Sequence, residues 1–349
     1  MKFYLKYLFF LILFTGCRSH FDYTKMTISP IESYLQNIEN YNSENFEILN
    51  EIDNLTLSGT LISPKGEFDE LVIIVPGTGA DTRNSHYKLA ESLLKDNIAV
   101  FRYDDRGVNK SEGDYVKVWY TASDMENELF FVTKYLRTKF KNKKIGLIGH
   151  SMGGMATIGA YSKGAPVDFL IQLSTPVMKN GEDLIYQLKS GLNSYDKAFN
   201  YETDEEKLRV MYLIHQIIIE NKELDVVSMN KQIGEVLKSK GYNKKDSWKY
   251  YVHPILQDMV IKNYELVYKD SRIPILYIVG SSDKYVDAKN NITTLKSFDN
   301  NNITIKEIGG YNHMLRKGEI KKDKTAYLIS DDVIDFILEW IRKTTANNG

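Results

Sequence analysis

Residues 145–162 constrain the fold of this chain more than any other stretch. The apolar run Ile145-Gly146-Leu147-Ile148 leads into Gly149-His150-Ser151-Met152-Gly153, and a helix-like segment over residues 155–162 follows. When a strand turns straight into a helix, the residue at the turn is forced into a strained backbone conformation with its side chain held out at the sheet edge. Only small neighbours avoid a clash there. The two glycines meet that steric need, and Ser151 is the residue put forward. The pattern predicts a buried strand, a turn carrying a nucleophile, and a helix packed back on the sheet.

The rest of the chain repeats this alternation. Residues 46–63 read as two short strands, and Leu71-Val72-Ile73-Ile74-Val75 as a buried one. A helix over 85–95 leads to a strand over 98–103, a helix over 121–140 precedes the Ser151 strand, and a strand over 167–173 follows its helix. This order predicts an α/β fold: a mostly parallel central sheet with helices on both faces and functional loops at the C-terminal ends of the strands. Between Pro176 and Arg272 the periodicity turns helical, with candidate helices over 181–192, 204–221 and 228–238. We read residues 46–176 and 272–349 as the core and 177–271 as an inserted helical cap.

A serine hydroxyl is a weak nucleophile near neutral pH and needs a base, which in turn needs a group to orient it. Asp283 ends the run over 273–283, just after a buried-type strand, and is the candidate acid. Asp287 suits the N-cap of a helix over 288–298 better. His313 follows the alternating strand 303–308 and the turn Gly309-Gly310, and is the candidate base. The other histidines fit less well: His20 lies in the N-terminal tail, His86 precedes an early helix, His150 is inside the turn itself, and His215 and His253 fall in the insertion. Carbonyl attack also builds charge on oxygen, and the backbone N–H groups of Met152 and Thr78 are the candidate donors. Thr78 lies in Pro76-Gly77-Thr78-Gly79. A dinucleotide site fits that loop poorly, because the third glycine position is Thr82 and no acidic residue closes a following strand at the usual distance.

These residues together resemble an α/β-hydrolase from about Leu57 to the C-terminal helix. More narrowly, 101–113 (FRYDDRGVNKSEG) and Gly79-Ala80-Asp81-Thr82-Arg83 are similar to segments of bacterial esterases related to dienelactone hydrolases and the serine aminopeptidase-like group. Asn109 departs from that pattern, standing where a glycine is common. The resemblance implies a serine hydrolase needing no metal or organic cofactor, with Ser151 as nucleophile, Asp283 as acid and His313 as base. It also implies that the insertion lies over the serine. Met211, Tyr212, Ile214, Trp248 and Tyr251 would then either line a substrate pocket or pack the insertion's own core.

At the N-terminus, Lys2 and Lys6 precede the apolar run 7–14, too short to span a bilayer, which ends in Phe14-Thr15-Gly16-Cys17. This reads as an export signal over 1–16. Gly16 before the chain's one cysteine resembles a lipobox, so Cys17 is the candidate lipidation site and residues 17–45 a tether. A bacterial membrane-anchored envelope protein is expected, with a secreted or periplasmic one as the alternative. Net charge is −1, and loss of residues 1–16 takes it to −3. No general attraction to nucleic acid follows. The expected activity is hydrolysis of a small carboxylic ester. A peptidase of the same fold and an inactive binding protein are the alternatives, and nothing in the sequence sets an oligomeric state.

Overall fold

A computed structural model describes residues 22–115, 119–192, 201, 203–242, 252–321 and 323–346. The chain divides into two compact units, Asp22–Val177 with Tyr264–Gly349, and Met178–Asn263. The signal over 1–16 and Cys17 lie outside the described residues, as do Trp248 and Tyr251.

The larger unit is built on eight strands: β1 (Asn42–Asn50), β2 (Leu55–Ser63), β3 (Glu70–Val75), β4 (Ala99–Tyr103), β5 (Lys144–His150), β6 (Phe169–Leu173), β7 (Ile275–Gly280) and β8 (Ile303–Ile308). They form one sheet in the order β1-β2-β4-β3-β5-β6-β7-β8. Strand β2 runs antiparallel to both β1 and β4, and all later pairings are parallel. Strands β3, β5 and β7 are buried almost end to end, as expected of a parallel sheet covered on both faces. One face packs Val72, Ile74, Ile148, Ile171 and Ile278 against Leu89 and Leu93 of helix Tyr87–Lys95 and Ile337 and Ile341 of helix Asp331–Ala346. Helices Ala122–Lys139 and Met152–Ser162 pack on the sheet as well as on each other.

Local chemistry sets where the elements begin. Helix Ala122–Lys139 starts at a capping box, with Thr121 Oγ1 accepting from the Asp124 N–H and the Asp124 carboxylate from the Thr121 N–H. The chain passes from β3 to β4 on one side and then returns to β5 on the other. That reversal opens a crevice at the C-terminal ends of β3 and β5, the place where an α/β sheet presents its site.

Two boundaries differ from expectation. Residues 22–45 are not a free tether, because Met26, Ser29, Ile31 and Glu32 are buried and β1 already begins at Asn42. The segment is polar, yet Met26 and Ile31 find cover and its one buried carboxylate, Glu32, is hydrogen-bonded through both oxygens. The helix Glu265–Asp270, read as part of the insertion, belongs to the larger unit. Tyr268 is fully buried there, and the Tyr264 hydroxyl donates to Glu126 on helix Ala122–Lys139.

The smaller unit holds helices Glu182–Lys189, Asp204–Glu220, Val226–Ser239 and Pro254–Ile261. Helix Asp204–Glu220 buries Val210, Met211, Ile214, Ile217 and Ile218, a helical stripe, against Leu184, Ile185, Met229, Ile233 and Leu256. Met211 and Ile214 therefore pack this unit's own core. Tyr212 is exposed, with its hydroxyl accepting from Lys189 Nζ at 3.0 Å.

His215 gives this unit a pH dependence. Its ring is buried, Nδ1–H donates to the Asn180 carbonyl at 3.0 Å, and burial pushes its pKa down to about 4 against the favourable carbonyl contact. Below pH ~6.5 the unfolded chain takes up a proton that the folded one refuses, so stability falls by up to about 1.4 kcal/mol per pH unit down to the folded pKa. His215→Gln removes its share of this dependence, leaving that of His253, which burial also pushes down to about 4. Urea titrations at pH 8, 6 and 5 should find the variant less stable at pH 8 and the gap closing as pH falls; a gap independent of pH would contradict this assignment.

Candidate active site

Ser151 sits at the C-terminal end of β5, one residue before helix Met152–Ser162, with φ 56° and ψ −121°. Such a conformation costs a non-glycine residue roughly 1–3 kcal/mol and persists only where its surroundings hold it. Here the Ser151 N–H donates to the Leu173 carbonyl at 2.9 Å, and the Ser151 carbonyl accepts from the Gly154 N–H at 3.0 Å. The helix lies so close to the end of β3 that a Cβ on Gly153 would stand 2.1 Å from the Pro76 carbonyl oxygen. A side chain there would drive the helix off the sheet.

The loop after β3 closes on the serine from the other side of the crevice. A Cβ on Gly77 would lie 3.1 Å from Ser151 Cβ, and the Thr78 hydroxyl meets Met152 Sδ at 3.6 Å. Thr78 is exposed and Met152 buried. The two candidate donor residues thus adjoin each other beside Ser151.

Asp283 and His313 meet directly. His313 Nδ1 lies 2.8 Å from Asp283 Oδ2, with both side chains almost wholly buried. Asp283 Oδ1 accepts from the Tyr285 and Val286 N–H groups at 2.7 and 3.1 Å, so the carboxylate cannot swing away, and the Tyr285 ring packs 4.7 Å from the imidazole. Asp287 does not join this pair; its side chain accepts from the Asn290 N–H as the N-cap of helix Ala288–Ser297. The His313 loop is tied at both ends, by Ser282 N–H to the Tyr311 carbonyl and by the Asn312 side chain to Gly318 O and Met314 N–H. Among the described residues neither Ser151 Oγ nor His313 Nε2 makes a hydrogen bond. Such bonds are often long in unliganded sites and tighten with substrate.

His150, set aside in the sequence because it lies within the turn, links the two halves. Its Nε2 is 2.9 Å from the His313 carbonyl, and the two rings are 5.0 Å apart. Burial, reinforced by the neighbouring His313, pushes its pKa down to about 3, so it is neutral at working pH and Nε2–H donates to that carbonyl. Its position next to the serine was the only signal available. Asn109, which replaces a common glycine, has φ 48° and donates from Nδ2 to Asp104 Oδ2 at 2.9 Å. Asparagine tolerates this left-handed position, so the turn survives the substitution.

A mixed sheet flanked by helices, an inserted helical unit and a serine on a strained strand-to-helix turn define an α/β-hydrolase. The chain belongs to the family described as serine aminopeptidase, S33, whose model matches residues 66–319, and it is a serine hydrolase. Solved structures share the fold. An esterase of Pyrococcus furiosus is 20% identical with a TM-score of 0.56, covering 92% of this chain and 98% of its own. Est1E from Butyrivibrio proteoclasticus, solved with ferulic acid bound, is 18% identical with a TM-score of 0.54, covering 86% and 99%. A proline iminopeptidase of Mycobacterium smegmatis is 12% identical with a TM-score of 0.56, covering 88% and 100%. No curated protein matches the sequence significantly.

Proposed function

We propose that this protein cleaves carboxylic esters through an acyl-enzyme formed on Ser151. The observation that carries the reading is the buried Asp283–His313 pair set beside the serine turn. His313 takes the Ser151 proton through Nε2 as Oγ attacks the carbonyl, and the Met152 and Thr78 N–H groups receive the developing oxyanion. The imidazolium then protonates the leaving alkoxide. Water, activated by the same histidine, hydrolyses the acyl-enzyme. Asp283 holds the imidazole with Nδ1–H toward the carboxylate and offsets its charge. No step calls on a metal or organic cofactor.

An ester is the least demanding acyl substrate, because an alkoxide leaves more readily than an amine. Two of the fold neighbours are an esterase and a protein solved with ferulic acid bound. An aminopeptidase must also hold an α-ammonium group. The carboxylates around the loop after β3, Glu32, Asp81, Asp104 and Asp105, are buried and engaged with backbone amides, Tyr327 and Arg83. The family's description and the iminopeptidase neighbour favour peptide cleavage as the second reading. A panel of p-nitrophenyl esters and aminoacyl p-nitroanilides of graded acyl length separates them. Turnover of the esters with no measurable turnover of the anilides is the expected result, and substantial kcat/KM on an aminoacyl anilide would move the assignment to a peptidase.

The proposal extends to location. Cys17 would carry lipid after cleavage of residues 1–16, anchoring the enzyme to a bacterial envelope membrane. Packing of the larger unit has begun by Met26. The chain from Cys17 to Met26 spans nine residues, at most about 32 Å, which would keep the enzyme close to the lipid surface. Labelling of the expressed chain with an alkyne palmitate analogue, lost in Cys17→Ser, tests this.

A further inference from the structure

The loop that bears Thr78 is held at its far end by an arrangement the proposed catalysis does not itself use. Three consecutive backbone N–H groups each donate to a different carboxylate: Asp81 N to Asp105 Oδ2 at 2.8 Å, Thr82 N to Glu32 Oε1 at 3.0 Å, and Arg83 N to Asp104 Oδ1 at 2.8 Å. Asp104 and Asp105 follow β4, so their proximity is a consequence of the sheet. Glu32 comes from the N-terminal segment, 50 residues away in sequence. Its Oε2 also accepts from Thr82 Oγ1 and from the Ser29 N–H, both at 2.7 Å.

This clustering is costly, and so requires a reason. Glu32, Asp81 and Asp105 are all fully buried. Burial raises the pKa of each, and for Asp81 the neighbouring Glu32 raises it further, as Asp81 does for Asp105. Hydrogen bonds partly offset that cost: the Tyr327 hydroxyl donates to Asp81 Oδ1 at 2.6 Å, and the Asp105 N–H returns a bond to the Asp81 carbonyl at 3.1 Å. The N-terminal segment touches the loop's surroundings a second time. Tyr23 packs 5.4 Å from the Tyr115 ring, and its carbonyl accepts from the Asn109 N–H at 2.9 Å.

We infer that Glu32 is a positioning residue for the oxyanion loop: the N-terminal segment clamps Thr82 and so fixes Thr78, four residues earlier, beside Ser151. The inference rests on the proposed role of Thr78 and Ser151. An oxyanion donor works only if it is held where charge develops, since a donor that must reorganise returns part of its stabilisation. Loosening the clamp therefore weakens the transition state more than the bound ester.

The test compares wild type, Glu32→Gln and Thr82→Val. Glutamine places an N–H₂ where Oε2 accepts from Ser29 and Thr82 Oγ1, whereas valine keeps the Thr82 N–H bond to Glu32 and removes the hydroxyl, with its bond to Glu32 and the one it accepts from the Asn84 N–H at 3.2 Å. Steady-state ester hydrolysis and the affinity of a phenylboronic acid, which mimics the tetrahedral adduct on serine, are measured in folded protein at 25 °C. Glu32→Gln should lower kcat by about 10- to 100-fold with KM within twofold, boronate affinity should fall in parallel, and Thr82→Val should show a smaller loss in the same direction. A folded Glu32→Gln protein with unchanged kcat and boronate affinity would overturn the inference alone, as would unchanged values in Thr82→Val if Glu32→Gln does not fold. A wild type without Ser151-dependent hydrolysis would overturn the reading of the site and this inference with it.

Discussion

Ser151→Ala should lower kcat for p-nitrophenyl ester hydrolysis by about 10⁵-fold or more while leaving the fold intact. The serine hydroxyl makes no hydrogen bond among the described residues, so its removal breaks no structural contact. The strained backbone at φ 56° is as accessible to alanine as to serine. The loss is therefore almost wholly kinetic: without Oγ there is no acyl-enzyme, and only the Met152 and Thr78 donors and substrate binding remain, worth ~10³–10⁴-fold over water in serine proteases. KM should change little. Matched thermal midpoints and stopped-flow or steady-state assays check this result. Activity that survives the substitution would remove Ser151 from the mechanism.

Asp283→Asn should lower kcat by about 10⁴-fold, the loss typical when the buried acid of a serine triad is amidated. Asp283 accepts hydrogen bonds from His313 Nδ1–H and from the Tyr285 and Val286 backbone N–H groups. An asparagine can keep the backbone bonds through its carbonyl oxygen, but then turns an N–H₂ toward Nδ1. The imidazole must answer with Nδ1 as acceptor, which puts the proton on Nε2 and removes the base that Ser151 needs. The informative control is Asp287→Ala, four residues on. That change removes an N-cap and should cost about 1 kcal/mol of stability with kcat unchanged, as read from urea midpoints and ester assays. If Asp287→Ala rather than Asp283→Asn abolished turnover, the acid would have to be reassigned.

Much of this site was legible in the chain because it obeys local rules. Ser151 stands out through the apolar strand before it, the glycines around it and the helix after it. His313 stands out because a terminal strand and two glycines lead into it. Asp283 and Asp287 could be told apart because a helix start has its own chemistry, and Asp287 performs it. Helix Ala122–Lys139 was bounded to within a residue at each end by its helical periodicity.

What escaped notice depends on contacts distant in sequence. Glu32 is one acidic residue in a polar segment, and nothing local distinguishes it from a solvated one. It becomes intelligible only when Thr82 is seen to lie against it. The same polarity made residues 22–45 read as a tether, although a buried Met26 and Ile31 are enough to hold them. His150 bonds to the carbonyl of a residue 163 positions away. Met211 and Ile214 had two readings because helical periodicity shows which face is apolar and not what covers it; their place in the core of the inserted unit comes from packing.

The central claim is that Ser151 is the nucleophile, and the most direct test is to locate its covalent adduct. Purified protein is treated with a fluorophosphonate, its intact mass recorded, and the modified peptide mapped by tandem mass spectrometry. The account predicts one adduct per chain, on the peptide containing Gly149-His150-Ser151, and none in Ser151→Ala or in His313→Ala within the same exposure. An adduct on another serine, or a folded wild type that stays unmodified while true serine hydrolases in the same tube react, would contradict it.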